Sequence, residues 1–355
     1  MEKPPNAPQP PAARPSRAAA AAGFLRRTLA LGLLACVIAS LGLTAGTQAE
    51  PERPRTFSEQ ALNEAFATSR LLAAEAESLA ASLQGSAATA VQQAADTLAR
   101  QSLLLTSPGG AAALQNADDI SGRSLPQALA DSARTNLSAA GRADYGTARL
   151  LASAGTGQLL LSLRTAQALG EEPAEVPESG WTPVLEDAVP GKCSGSGQSG
   201  TDEWPDEGPD GAAALGAVLD AEFGAAYAYE VAQAQFGGGF TVLGQTPSER
   251  RAAHLEAGGE GTELLPALCL PELTPVPAYS LAPEFMTDPL GSLQLLEDGM
   301  PTLYANLAGS SDGAVRSWAI DRLVASSVLL YAGAGQIPAS PGLDAEPAAL
   351  PWTSG

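Results

Sequence analysis

The stretch GAAALGAVLDAEFGAAYAYEVAQAQF, residues 211–236, is rich in Ala and ends at Gly237-Gly238-Gly239, and Leu215, Leu219, Glu222, Ala226 and Tyr229 recur along it at spacings of three and four. Ala is the best helix former, and that spacing places the five side chains on one face of a helix. Glu222 stands in the middle of this apolar face. A carboxylate there needs a partner cation or strong hydrogen bonds, because burying an ionised group alone is unfavourable.

Helical signals continue downstream. Thr246 and Glu249 fit a capping box, with Pro247 at the first helical position, so a second helix starts there. It carries the only histidine, His254, on a face with Ala257, Gly261, Leu265 and Leu268. A third helix starts after Thr287-Asp288, with Pro289 in its first turn, and sets Glu297 between Leu293, Met300 and Tyr304. Gly299 and Pro301 are expected to kink it. A fourth runs from about Asp312 to Tyr331. The connection from Pro271 to Pro283 is long and rich in proline, enough to cross the length of a bundle.

Upstream, Thr56 and Glu59 form another capping box, followed by Leu62, Phe66, Ser69, Leu72, Ala76, Leu79 and Leu83 on one helical face, with Gly85 marking the end. A second helix over about 87–105 carries Val91, Leu98 and Leu105 on one side, and Ser107-Pro108-Gly109-Gly110 breaks it. Ser124 to Gln127, with Pro126, starts a third, and a fourth stops at Gly170, a good C-cap. Short connections between four helices predict an up-and-down bundle over 56–170. Residues 171–209 read as a Pro/Gly/Ser-rich linker, 210–335 as a second four-helix domain and 336–355 as a C-terminal tail. The glycine run from Cys193 to Gly197 lacks the spacing of a phosphate loop.

Composition agrees with an all-α fold. Hydrophobic residues make up 45% but aromatics only 5%, so the cores are built from Ala and Leu, and the residues that strands prefer are sparse. The net charge is −20, with the positive residues concentrated early. Such a surface repels phosphate backbones, and nucleic acid is excluded as a partner.

Residues 1–27 read as a disordered, basic N-terminus. Arg26 and Arg27 precede the uncharged apolar stretch 28–46, close to the ~20 residues that span a bilayer as a helix. Positive charge on its N-terminal side keeps that side in the cytoplasm and exports the rest. The expected location is the cell membrane, single-pass, with the acidic part outside the cytoplasm. Three fates compete for the segment: retention as an anchor, which is favoured; cleavage after Thr47-Gln48-Ala49, giving a secreted protein; and lipidation of Cys36, since Leu33-Leu34-Ala35-Cys36 resembles a lipobox. Export makes Cys193 and Cys269 a candidate disulfide pair, with two free thiols as the alternative.

Ala221-Glu222-Phe223-Gly224-Ala225-Ala226-Tyr227-Ala228-Tyr229-Glu230, together with Arg251-Ala252-Ala253-His254, Pro275-Val276-Pro277-Ala278-Tyr279 and Pro341-Gly342-Leu343, resembles a family of uncharacterised ferritin-like domains in exported proteins of high-GC Gram-positive bacteria. The resemblance covers about residues 210–343 and implies a four-helix fold without an established activity. In the di-iron members of the wider group, two helices each give a lone Glu and the other two a Glu-x-x-His pair. By that resemblance Glu222, His254 and Glu297 are candidate metal ligands for iron or manganese. Arg251 stands where the glutamate of the second helix belongs, and Trp318 and Asp321 occupy the corresponding spacing on the fourth without a histidine. The set is thus incomplete, and an arginine, Arg250 or Arg251, sitting among the three would make a structural ion cluster instead. With one histidine and no nucleophile elbow, a Ser-His-Asp hydrolase is not supported.

The function expected from sequence is a membrane-tethered or exported ferritin-like helical protein with a non-enzymatic scaffold or interaction role in the cell envelope. The alternative is a degenerate metal-binding or oxidoreductase domain. The expected associations are the membrane through 28–46, a cell-envelope protein and a homo-oligomer.

Overall fold

The computed structural model describes residues 55–106, 123–176, 210–272, 276, 278–343 and 352–353. The chain divides into two units, Met1–Arg55 and Thr56–Gly355, and the second holds nearly all of the described residues. The apolar segment 28–46, Cys36, Cys193, the break at Ser107-Pro108-Gly109-Gly110 and most of the linker 171–209 lie outside them. Among the described residues no helix is long and apolar enough to cross a membrane.

The second unit is all-α. Its helices are α1 (Phe57–Ser82), α2 (Gly85–Leu104), α3 (Leu125–Ala140), α4 (Tyr145–Leu169), α5 (Gly211–Phe236), α6 (Pro247–Glu263), the short α7 (Pro283–Thr287), α8 (Pro289–Ala308) and α9 (Gly313–Tyr331). The only paired strands among the described residues have two residues each: β1 (Ser280–Leu281) lies antiparallel to β2 (Trp352–Thr353). Both expected capping boxes are formed, at Thr56/Glu59 and Thr246/Glu249. Gly170 closes α4 in the left-handed conformation, which glycine adopts without steric cost. One local expectation changes. Gly85, at φ 67°, opens α2 rather than ending α1, so the reversal between the two helices takes place at Leu83 and Gln84. Pro301 sits inside α8, which runs on to Ala308.

The helices form two sets of four. In the first, α1 packs on α2, α3 on α4, and α2 and α3 each meet the opposite pair. In the second, α5 packs on α6, α8 on α9, and α5 on α8. Helix α4 joins the sets through contacts with α8 and α9. Every residue of α4 from Leu151 to Ser162 is buried, as expected of a helix surrounded on all sides. One apolar cluster accordingly runs from Ala61 and Ala65 of α1, through Leu151 of α4, to Leu219, Tyr304 and Trp318.

Candidate functional site

The capping box at Thr246 and Glu249 fixes where α6 begins. It thereby sets Arg250 and His254, four residues apart, on the inward face of α6. Helix α5 brings Glu222 and Tyr229 to the same place, and α8 brings Glu297 and Tyr304. All six are buried, with Glu222 and His254 at 2% exposure and Glu297 at 4%.

The hydrogen bonds form one continuous chain. His254 Nδ1 lies 2.7 Å from Glu222 Oε2, and His254 Nε2 lies 3.1 Å from Glu297 Oε1. Arg250 grips Glu297 with two bonds, Nε to Oε1 at 2.8 Å and Nη2 to Oε2 at 2.7 Å. Its Nη1 reaches Gln245 Oε1 at 3.3 Å. Tyr229 donates its hydroxyl to Glu297 Oε1 at 2.6 Å, and Tyr304 donates its hydroxyl to Glu222 Oε1. The Tyr229 ring stacks on the imidazole with centroids 5.6 Å apart.

The charges balance within the cluster. Burial alone would drive the proton off His254, but the two flanking carboxylates together outweigh burial and raise its pKa to about 9. Burial likewise disfavours ionised Glu297, yet His254 and Arg250 hold its pKa down at about 2. A doubly bonded imidazolium and a guanidinium thus face two carboxylates. In that state the 3.2 Å approach of Arg250 Nη2 to His254 Nε2 is a contact between two donors that share Glu297. Burial first, and then the neighbouring carboxylate, push both tyrosine hydroxyls far above their ordinary pKa, so both remain neutral donors.

A small cavity of about 100 Å³ lies between α6 and α9, lined by Glu222, Arg250, His254, Glu297 and Tyr304 of the cluster and by Ala253, Ala257, Met300, Ala325, Ser326 and Leu329. Beyond it, Glu260 of α6 accepts from Trp318 Nε1 at 2.8 Å and from Arg322 of α9. Trp318 in turn meets the Tyr304 ring edge-on, centroids 5.6 Å apart.

The three residues read from sequence as metal ligands therefore converge. As arranged, both imidazole nitrogens meet carboxylates and both Glu297 oxygens accept from the Arg250 guanidinium, and all three residues line the small cavity between α6 and α9. Among the described residues, no group of three or more His, Cys, Asp or Glu is disposed to hold a metal ion. Arg251, the residue in the place of the missing glutamate, points away and pairs with Glu230 at 3.0 Å on the surface. Asp321 lies apart from the cluster, beside Arg134 and Ser317 in a groove between α3 and α9. Cys269 is disulfide-bonded, while Cys193, the partner expected for it, lies outside the described residues.

Sequence reasoning assigned no polar cluster to the first four helices, yet one is present. Ser69 of α1, Gln101 of α2, Asn136 of α3 and Gln158 of α4 are all buried. Gln158 Nε2 donates to Gln101 Oε1 at 2.7 Å and to Ser69 Oγ at 3.0 Å. Ser69 Oγ donates to Gln101 Oε1 at 3.2 Å, and Asn136 Nδ2 to Gln158 Oε1 at 2.9 Å. Gln101 Nε2 spends its own hydrogens on the carbonyls of Ala154, at 2.9 Å, and Ala339, at 2.8 Å. The available signal was periodicity: Gln101 lies three residues after Leu98 and four before Leu105, on the face already read as buried.

Neither curated proteins nor solved structures offer a match to this chain. Residues 214–345, which contain the whole ion cluster and none of the four residues of the amide cluster, match the model of a family described as a domain of unknown function (DUF4439).

Proposed function

We propose that this chain is an exported or membrane-tethered ferritin-like protein that works as a non-enzymatic scaffold or interaction module in the cell envelope. The observation that carries this reading is the double hydrogen bond from Arg250 to Glu297. In a di-iron bundle the inward carboxylates are balanced by metal; here a guanidinium and an imidazolium supply the positive charge from within the chain. Such a cluster fixes three helices in register and engages both imidazole nitrogens and both Glu297 oxygens within the chain. The ferritin-like assignment draws support from the pairing of α5 with α6 and of α8 with α9, and from the long connection between the pairs. Export is supported by the order of the sequence, with basic residues, an apolar stretch and a strongly acidic remainder.

A second reading is favoured by the convergence of Glu222, His254 and Glu297 within hydrogen-bonding distance of one another. It makes the domain a degenerate metal site for iron or manganese, and it requires Arg250 to leave Glu297. Metal analysis of the purified full-length protein separates the two. Scaffold function predicts protein without stoichiometric iron or manganese, even after incubation with either ion. Stoichiometric metal that disappears in His254→Ala overturns it. Location is tested by adding protease to intact, wall-stripped cells: digestion beyond residue 50 is expected, and protection of that part overturns export.

A further inference from the structure

The chain continues past α9 as an irregular strap that packs onto the first four-helix set. Ile337 and the run Ala339–Gly342 are buried. Ile337 joins the apolar cluster of the first set, with Leu72, Val91, Leu98 and Leu160. Gln101 of α2 donates to the Ala339 carbonyl at 2.8 Å, and Arg149 of α4 to the Gly342 carbonyl at 3.4 Å. Arg164, farther along α4, donates to the carbonyls of Tyr331, Ala334 and Gly335.

The chemistry on the two sides is matched. Pro338 and Pro341 have no backbone N–H, so the strap presents mainly acceptors. Donors from α2 and α4, an amide and two guanidiniums, meet its carbonyls. Proline also restricts the free strap toward the extended form, which reduces the entropy lost on docking. Space is matched as well. A Cβ on Gly157 of α4 would sit 2.8 Å from the Ala339 carbonyl oxygen and 3.3 Å from Pro341, so only glycine lets the strap lie this close. The strap ends in a turn, Leu343 N to Ser340 O at 3.0 Å, with Pro341 and Gly342 at its centre. Gly342 has φ 83°, the positive value that a type II turn requires at its third residue. There it packs against the Pro301 carbonyl and Ala305 of α8.

We propose that Ile337–Gly342 is a recognition peptide and that α2 and α4 form its receptor, so that the first four-helix set serves as a built-in protein partner of the domain spanning 214–345. The match to the domain family includes the strap and stops short of the receptor. The partner that suits this domain is therefore a helix pair offering a buried amide donor beside a glycine. This role is independent of whether the ion cluster binds metal.

The test uses the full chain with a specific protease site inserted between Gly335 and Gln336, both exposed. After cleavage, the fragment from Gln336 onward remains bound through gel filtration at micromolar concentration. Excess synthetic peptide 336–355, which also carries the β2 residues that pair with β1, displaces it, and the same peptide carrying Ile337→Asp does not. Gly157→Ala in the helix, or Ile337→Asp in the strap, weakens retention roughly 10- to 100-fold, the effect of losing one well-made buried interaction. Immediate release of the wild-type fragment overturns the proposal. So does equal retention in both variants with helical content unchanged, or failure of the wild-type peptide to compete, a readout that does not depend on either variant folding.

Discussion

Each four-helix set buries one polar cluster, and the two clusters are built on different principles. In the first set every helix contributes one neutral residue, Ser69, Gln101, Asn136 and Gln158, and the bonds run between amides and a hydroxyl. In the second set three helices contribute full charges, Glu222, Arg250, His254 and Glu297, with two tyrosines closing the ends. The helices that carry them differ in the same sense. Helix α2 buries Val91 and Leu98 around Gln101. Helix α6 buries only Pro247, Arg250, His254, Ala257, Gly258 and Gly261, and its Leu255 is exposed. So α2 is held by apolar burial with an amide added for register, whereas α6 depends on its ion pairs. Removing a member of a neutral network leaves neutral partners unsatisfied, at about 1–3 kcal/mol; a charged one is left with an uncompensated ion, at about 3–5 kcal/mol.

The largest test of that contrast is Arg250→Ala. It leaves Glu297 buried without its bidentate partner, and denaturation of the full chain should show a loss of about 3–5 kcal/mol. A loss under about 1 kcal/mol would place α6 among helices held by packing.

pH should separate the clusters next. His254 has its folded pKa raised to about 9. Its stabilisation is complete below the ordinary histidine value of about 6.5 and is lost as pH rises through about 9. Glu297 has its folded pKa lowered to about 2. Its stabilisation is complete above the ordinary carboxylate range near 4.5 and is lost as pH falls toward about 2. The unfolding free energy from denaturation should therefore peak between about pH 5 and 6.5 and decline on the alkaline side by up to about 3 kcal/mol. His254→Gln should flatten the alkaline limb selectively. An alkaline limb that persists in that variant would assign it to groups outside the cluster.

The neutral cluster gives a smaller, pH-independent effect. Gln158→Leu removes a donor shared by Gln101 and Ser69 and leaves Asn136 without its acceptor. The expected cost is about 1–3 kcal/mol, equal at pH 6 and pH 9. A cost that changes with pH would mean that the two clusters are coupled through α4.

The two clusters were unequally legible in sequence for a physical reason. A glutamate in an apolar stripe is conspicuous because an ion cannot be buried alone, so Glu222 and Glu297 could be placed before any coordinates. Glutamine and serine are common on solvated faces, so Gln158 on α4 gave no warning, and even Ser69, already on the apolar face of α1, suggested no partner. Helix limits followed from local chemistry, the two capping boxes and Gly170. The docking of residues 337–342 against α2 and α4 did not, because contacts between Gln101 and Ala339 depend on tertiary packing that no local pattern encodes.

The smallest effect bears on the one residue choice that sequence left open, Arg250 or Arg251. A spacing of three before His254, taken from the di-iron pattern, points to Arg251; a spacing of four points to Arg250. Both positions lie near the histidine face of a helix with 3.6 residues per turn, about 60° to one side and about 40° to the other, so phase alone separates them weakly. Packing decides: Arg250 turns inward to Glu297, and Arg251 meets Glu230 with side chains 40% and 60% exposed. An exposed pair of this kind contributes under about 1 kcal/mol, and salt screens it further. Arg251→Gln should accordingly leave the denaturation midpoint almost unchanged at moderate ionic strength and leave the alkaline decline of His254 intact. A loss as large as that of Arg250→Ala would make Arg251 the cation of the cluster, and the spacing of three would then be the correct guide to the α6 face.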